Sequence, residues 1–112
     1  MAAVMEVRSA TISGNGTNVL YTVPAGVTVT AQVRYLFSRT TFSGAAGDGS
    51  YLKINGVNFF KLTGNSNPGT LYAQTLSLVL GPGDNISVEV INAGAASVTT
   101  KCKLFISGFS TP

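Results

Sequence analysis

Few side chains in this sequence could carry acid–base chemistry. The chain has four acidic residues, Glu6, Asp48, Asp84 and Glu89, and no histidine. Glycoside hydrolysis needs two carboxylates that converge on one bond. Asp48 lies in a glycine-rich segment, Asp84 lies in a turn sequence, and the two glutamates are predicted to point outward from different strands. No pair is therefore predicted to converge, and we expect no enzyme activity and no catalytic residues.

The sequence also contains few residues that could bind a metal or a cofactor. Asp48 alone cannot hold calcium, which takes about six to eight oxygen ligands. The segment Gly44–Gly49 lacks the lysine and the hydroxyl residue of a phosphate-binding loop. Cys102 is the single cysteine and lies between two lysines in an alternating run, which predicts an inward, buried thiol and not a reactive one. We expect no metal and no cofactor.

The positive charges are dispersed along the chain. Seven basic residues give a formal net charge of +3 and a pI near 9.3. A nucleic-acid site needs several cations on one patch, and in the sequence only Lys101 and Lys103 share a strand face. We therefore predict a solvated surface and no nucleic-acid partner. The weaker alternative is a small RNA-binding sheet that combines aromatic and basic residues, namely Tyr51, Lys53, Phe59 and Lys61.

Membrane and export signals are not apparent in the sequence. No segment approaches the ~20 consecutive apolar residues of a membrane helix. The first residues lack a basic segment followed by an apolar one, and Glu6 and Arg8 interrupt the only candidate. We expect no membrane partner and no Sec-dependent export.

The elements that must position these side chains are strands. From Val27 to Tyr35, apolar residues occupy every odd position and polar residues every even position, which places them on opposite faces of an extended strand. Burial of each larger side chain is worth about 1.5 to 3 kcal/mol, so the core fixes the register. The pattern recurs with inward residues Leu76, Leu78 and Leu80, then Ile86, Val88 and Val90, then Cys102, Leu104 and Ile106.

Turn sequences separate these runs and predict antiparallel connections. Asn55-Gly56 predicts a two-residue hairpin, because a type I′ turn needs positive φ at both central positions. Asp84 is predicted to hydrogen-bond the backbone of its own turn. The predicted strands cover residues 3–12, 18–23, 27–39, 50–54, 57–63, 71–80, 85–91 and 97–107. We therefore expect one all-β domain over residues 1–112, a single antiparallel β-sandwich that is jelly-roll-like.

Apolar residues also fall on the polar phase of several strands. Leu36, Val79, Ile91 and Phe105 do so, and the neighbours Phe59 and Phe60 are predicted to point to opposite faces. Only 10% of residues are charged, and contiguous exposed apolar area on such a chain normally marks an interface. We predict a homo-oligomer or a permanent protein partner.

Three segments carry a family resemblance. Val19–Val27 reads Val-Leu-Tyr-Thr-Val-Pro-Ala-Gly-Val, Leu76–Val88 contains Leu-Gly-Pro-Gly-Asp-Asn-Ile, and Ile106–Phe109 reads Ile-Ser-Gly-Phe. This arrangement resembles small β-sandwich proteins of tailed bacteriophage particles. The resemblance spans most of the chain and depends on turn residues placed between strands.

The resemblance implies a virion structural protein, assembled in the host cytoplasm. The first reading is a capsid decoration, or cement, protein that binds the major capsid protein as a homotrimer, with a dimer as the other stoichiometry. The alternative is a tail-fibre or receptor-binding module for carbohydrate, for which Tyr72 near Asn65 and Asn67 is a weak candidate. The predicted interface residues are Leu36, Phe59, Phe60, Phe105, Arg8, Arg34 and Arg39.

Overall fold

The computed structural model describes residues 1–39, 49–62, 72–91 and 99–112. Every predicted strand is present, and most boundaries agree within one or two residues. The described part contains strands and turns without a helix. The strands are β1 (Ala2–Ser13), β2 (Gly16–Thr22), β3 (Thr28–Arg39), β4 (Gly49–Ile54), β5 (Val57–Leu62), β6 (Tyr72–Leu80), β7 (Asn85–Ile91) and β8 (Thr99–Thr111).

The strands form two packed antiparallel sheets of four. The first sheet has the order β1-β8-β3-β6, and the second has the order β2-β7-β4-β5. This order is that of a jelly roll, in which strands distant in sequence become neighbours within each sheet. The predicted all-β sandwich is thus confirmed.

The core lies between the sheets and follows the predicted alternation. On β3, the odd residues Val33, Tyr35 and Phe37 are all 0% exposed. Leu52 on β4 and Val88 on β7 face them from the second sheet and are equally buried. Cys102 also belongs to this core, as the sequence predicted.

Two predicted turns are confirmed in detail. Asn55 and Gly56 have φ values of 53° and 78°, the positive pair that a type I′ hairpin requires. The Asp84 carboxylate accepts a hydrogen bond from the Gly81 backbone N–H (2.8 Å), within its own turn. It also accepts one from the Asn55 side-chain amide (3.0 Å), so it ties the β6–β7 turn to the β4–β5 hairpin. The sequence did not reveal this second contact.

The last strand is longer than predicted. β8 continues to Thr111, which pairs with Thr28, whereas the sequence placed its end at residue 107. A glycine at position 108 suggests that the strand ends there. Gly108 instead continues the strand and is paired with Val4 on β1 and with Ala31 on β3. A Cβ at this position would come 2.0 Å from the Thr30 carbonyl oxygen. Only glycine therefore fits at this position of β8 beside β3.

Glu6 and Arg8 do not point outward as the sequence suggested. They share the inward phase of β1 with Val4, Ala10 and Ile12. Arg8 donates a 2.6 Å hydrogen bond from Nη1 to Glu6 Oε2, and its guanidinium lies 5.9 Å from the ring centre of Tyr21 on β2. Burial and the Glu6 carboxylate raise the pKa of Tyr21 more than Arg8 lowers it. These residues fill the open side between β1 and β2.

Candidate interaction surface on the first sheet

Among the described residues, the surface with the most exposed apolar side chains is the face of the first sheet that points away from the core, called the outer face below. Five large apolar side chains lie on it with exposed fractions between 38% and 79%, well above those of the core. The register brings them together, because Val7 is opposite Phe105 and Ala3 is opposite Phe109. The five are Met5, Val7, Val79, Phe105 and Phe109.

Two open grooves cross this face, and Phe105 lies on both. The first groove is bordered by Met5, Val7 and Arg34. The second is bordered by Lys101 and Lys103 and contains Leu36. Leu36 is on the outward phase of β3 yet is only 7% exposed.

Three cations share the outer face with these apolar groups. Arg34 is opposite Phe105, and Lys103 is opposite Leu36. Arg34 and Lys103 are thus diagonal neighbours, roughly 7 to 8 Å apart. The Lys103 ammonium lies 5.9 Å from the ring centre of Phe105. Lys101 follows Lys103 at the next outward position of β8.

The structure brings only part of the predicted interface together. Leu36, Phe105 and Arg34 lie on the outer face. Arg8 lies between the sheets, and Phe59 lies on β5 of the second sheet, where it is 52% exposed. The side chains of Arg39 and Phe60 lie outside the described part, as do Asn65 and Asn67 of the carbohydrate alternative.

Three members of this face are absent from the individually predicted interface residues, although the segment from Met1 to Thr11 was expected from the sequence to supply contacts. Met5 and Val7 are on the outward phase of β1, and Phe109 continues the outward phase of Lys101, Lys103 and Phe105 along β8. Phe109 is at an odd position of β8, as are Lys101, Lys103 and Phe105, and this alternation could have identified it as outward-facing. No comparable signal existed for β1, because its inward phase contains Glu6 and Arg8 and its alternation is therefore weak.

In the predicted RNA-binding group on the second sheet, an ion pair neutralises the charge of Lys53. Lys53 Nζ lies 3.2 Å from the Glu89 carboxylate. Tyr51 is half-buried, and the Lys61 side chain is outside the described part. The described members of this group therefore offer one neutralised cation and one exposed ring, Phe59.

The buried polar groups form a structural cluster in the core. The Tyr35 hydroxyl makes a short hydrogen bond with Ser50 Oγ and donates a 3.2 Å hydrogen bond to Cys102 Sγ. Within the described residues, no three His, Cys, Asp or Glu side chains gather as metal ligands would. No helix in that same part of the chain is long and apolar enough to cross a membrane.

Comparison with known proteins adds no relative. No protein-family model matches the sequence, and no curated protein matches it significantly. The outer face is thus the feature of the described structure from which a function can be argued.

Proposed function

We propose that this chain is a non-enzymatic structural protein of a bacteriophage particle, and specifically a capsid decoration protein. The observation that carries the proposal is the outer face, with five exposed apolar side chains in one sheet of a small sandwich. Such a contiguous apolar surface marks a protein contact. The motif resemblance supplies the class of particle, and jelly rolls are frequent among viral capsid domains.

The proposed mechanism is binding without covalent chemistry. The protein binds across subunits of the assembled shell through its outer face. Because only the assembled shell presents the complete site, binding stabilises that state by mass action. Phe105 and Phe109 are the anchors we expect to matter most, since buried aromatic side chains dominate many protein interfaces.

The location is tested by counting copies of this chain in purified particles by quantitative mass spectrometry, relative to the major shell protein. Hundreds of copies per particle, on the order of the shell protein itself, are expected for saturating mass-action binding to a repeated site. A few copies would indicate a tail module such as a receptor-binding protein. Complete absence from the particles would reject both readings.

The face is tested by substitution in a shell-binding assay that uses particles lacking this protein. The double variant Phe105→Ser/Phe109→Ser should lose shell binding and keep its thermal unfolding temperature. Phe59→Ser is the matched control, because Phe59 is similarly exposed but lies on β5 of the second sheet. Equal loss of binding in both variants would contradict the assignment of the outer face.

A further inference from the structure

We infer that the partner surface of the outer face is an acidic protein surface, in which carboxylates border an apolar strip. This inference rests on the proposed function, because it names the chemistry of the partner at the same face. The apolar side chains of this face indicate a protein contact but not the charge of the partner. The distribution of charge on the face indicates that the partner is acidic.

The cations on the outer face are the uncompensated ones. Elsewhere in the described part, Arg8 is paired with Glu6 and Lys53 with Glu89. The other described cationic side chains, Arg34, Lys101 and Lys103, are exposed and have no ion-pair partner among the described residues. All three lie on the outer face.

No described carboxylate pairs with these cations. Glu6 borders the first groove but is bonded to Arg8, Glu89 belongs to the second sheet, and Asp84 lies in the β6–β7 turn. The outer face therefore combines like charges with apolar side chains. A partner that buries these apolar groups must also satisfy the cations, since an unpaired buried charge is strongly destabilising.

The positions of the cations specify a mixed partner. Lys101 and Lys103 border the same groove as Leu36, and Arg34 borders the neighbouring groove with Met5 and Val7. A group that enters either groove meets apolar and cationic atoms together. Carboxylates fit these cations, and arginine can hold a carboxylate through two parallel hydrogen bonds.

A second copy of this chain does not fit the face symmetrically. A two-fold contact would place the same patch against itself. The opposing patch would then carry the same three cations, Arg34, Lys101 and Lys103, and no described carboxylate that is not already paired, so the cations of both copies would be buried without a counter-charge. The occupant of this face is therefore a different surface with opposite charge.

Single-stranded nucleic acid is the competing polyanion, and the apolar composition argues against it. Nucleic-acid platforms use aromatic rings on which bases stack. Three of the five exposed apolar side chains here are the aliphatic residues Met5, Val7 and Val79, which pack on protein side chains but cannot stack on bases.

The first test uses defined polymers and does not depend on the shell. We expect the full chain to bind a glutamate–tyrosine random copolymer, and not a lysine–tyrosine copolymer, by fluorescence anisotropy. Lys101→Gln/Lys103→Gln should weaken this binding about tenfold at low salt, where surface charge pairs are least screened. Lys53→Gln should not, because it makes the same substitution at a cation that Glu89 already neutralises. All variants should unfold at the wild-type temperature.

The second test uses particles lacking the protein, with and without carbodiimide blocking of shell carboxylates by glycine ethyl ester. Blocking should reduce binding of the wild type to the level of Lys101→Gln/Lys103→Gln. Binding of the glutamate copolymer without shell binding would reject the decoration function and leave the inference intact. Shell binding that is unchanged by carboxylate blocking and by the Lys101→Gln/Lys103→Gln substitutions would overturn the inference of an acidic partner. It would leave the decoration function standing. Tighter binding of an oligothymidylate than of the glutamate copolymer would also overturn it.

Discussion

Among single residues, Asp84 makes the stability of the fold depend on pH. Its hydrogen bonds from Asn55 and Gly81 hold the pKa of the carboxyl below its usual value, and desolvation opposes this only in part. A lowered folded-state pKa means that ionised Asp84 stabilises the fold above the pKa of the unfolded chain, about 3.9. This contribution disappears as the pH falls through the folded-state pKa.

The pH dependence of thermal unfolding checks this assignment. Asp84→Asn should lower the unfolding temperature at neutral pH, and the difference from wild type should shrink as the pH falls below about 4. A difference that stays constant from neutral to strongly acidic pH would show that the loss comes from packing of the turn and not from the charge.

Thr100 provides a second residue-scale prediction. Its side chain is fully buried, and Oγ1 has no hydrogen-bond partner within the described structure. Removing an unsatisfied buried hydroxyl recovers desolvation free energy, so Thr100→Val should raise the free energy of unfolding by about 1 kcal/mol. Urea denaturation measures the change. Ser50→Ala is the control, because the Ser50 hydroxyl is equally buried but bonded to Tyr35. It should destabilise, and stabilisation by both changes would refute the argument.

At the element scale, the length of β8 depends on one close approach. A methyl group on Gly108 would meet the Thr30 carbonyl oxygen and the Ala31 Cα, both backbone atoms that cannot rotate away. Gly108→Ala should therefore force β3 and β8 apart and destabilise the fold by about 3 kcal/mol or more. The midpoint of urea unfolding measures this loss.

Gly81→Ala is the matched control for this substitution. Its added Cβ would lie 3.7 Å from Asp84 Oδ2, which is ordinary van der Waals contact. We expect a small effect on stability. An effect of Gly108→Ala as small as that of Gly81→Ala would mean that strand β8 has room at Gly108 and that the steric explanation is incorrect.

At the scale of the whole molecule, the edge of the first sheet is where we expect copies to associate. β6 is an edge strand, and its nine residues include no charged residue and no proline. Exposed edges of this kind pair with other strands unless charge or proline blocks them. The outer face carries three cations without a described ion-pair partner, whereas this edge carries no charge. The homo-oligomer predicted from the sequence should form here.

Sedimentation velocity of one pair of variants tests this prediction. Ser77→Lys puts a charge on the exposed edge strand and should shift the oligomer towards monomer. Gln32→Lys adds the same charge directly opposite, on the interior strand β3, and should not. A wild-type protein that stays monomeric, or equal effects of the two lysines, would contradict association through β6.

The strands, the Asn55-Gly56 and Asp84 turns and most of the described core could be predicted from sequence patterns alone. These features depend on neighbours two residues apart or on the φ preference of single residues. The alternation from Val29 to Phe37 and the Asn55-Gly56 hairpin could therefore be predicted without any tertiary contact. The inward placement of Cys102 followed from the same period.

Which side chains share a surface depends on strand order and register, and so could not be predicted from the sequence patterns. Arg34 and Phe105 are 71 residues apart and become direct neighbours because β8 pairs with β3. Glu6 and Arg8 point inward because β1 is at an edge, where the gap beside Tyr21 accepts charged groups. Strand order and register are cooperative properties of the whole core, and no local pattern contains them.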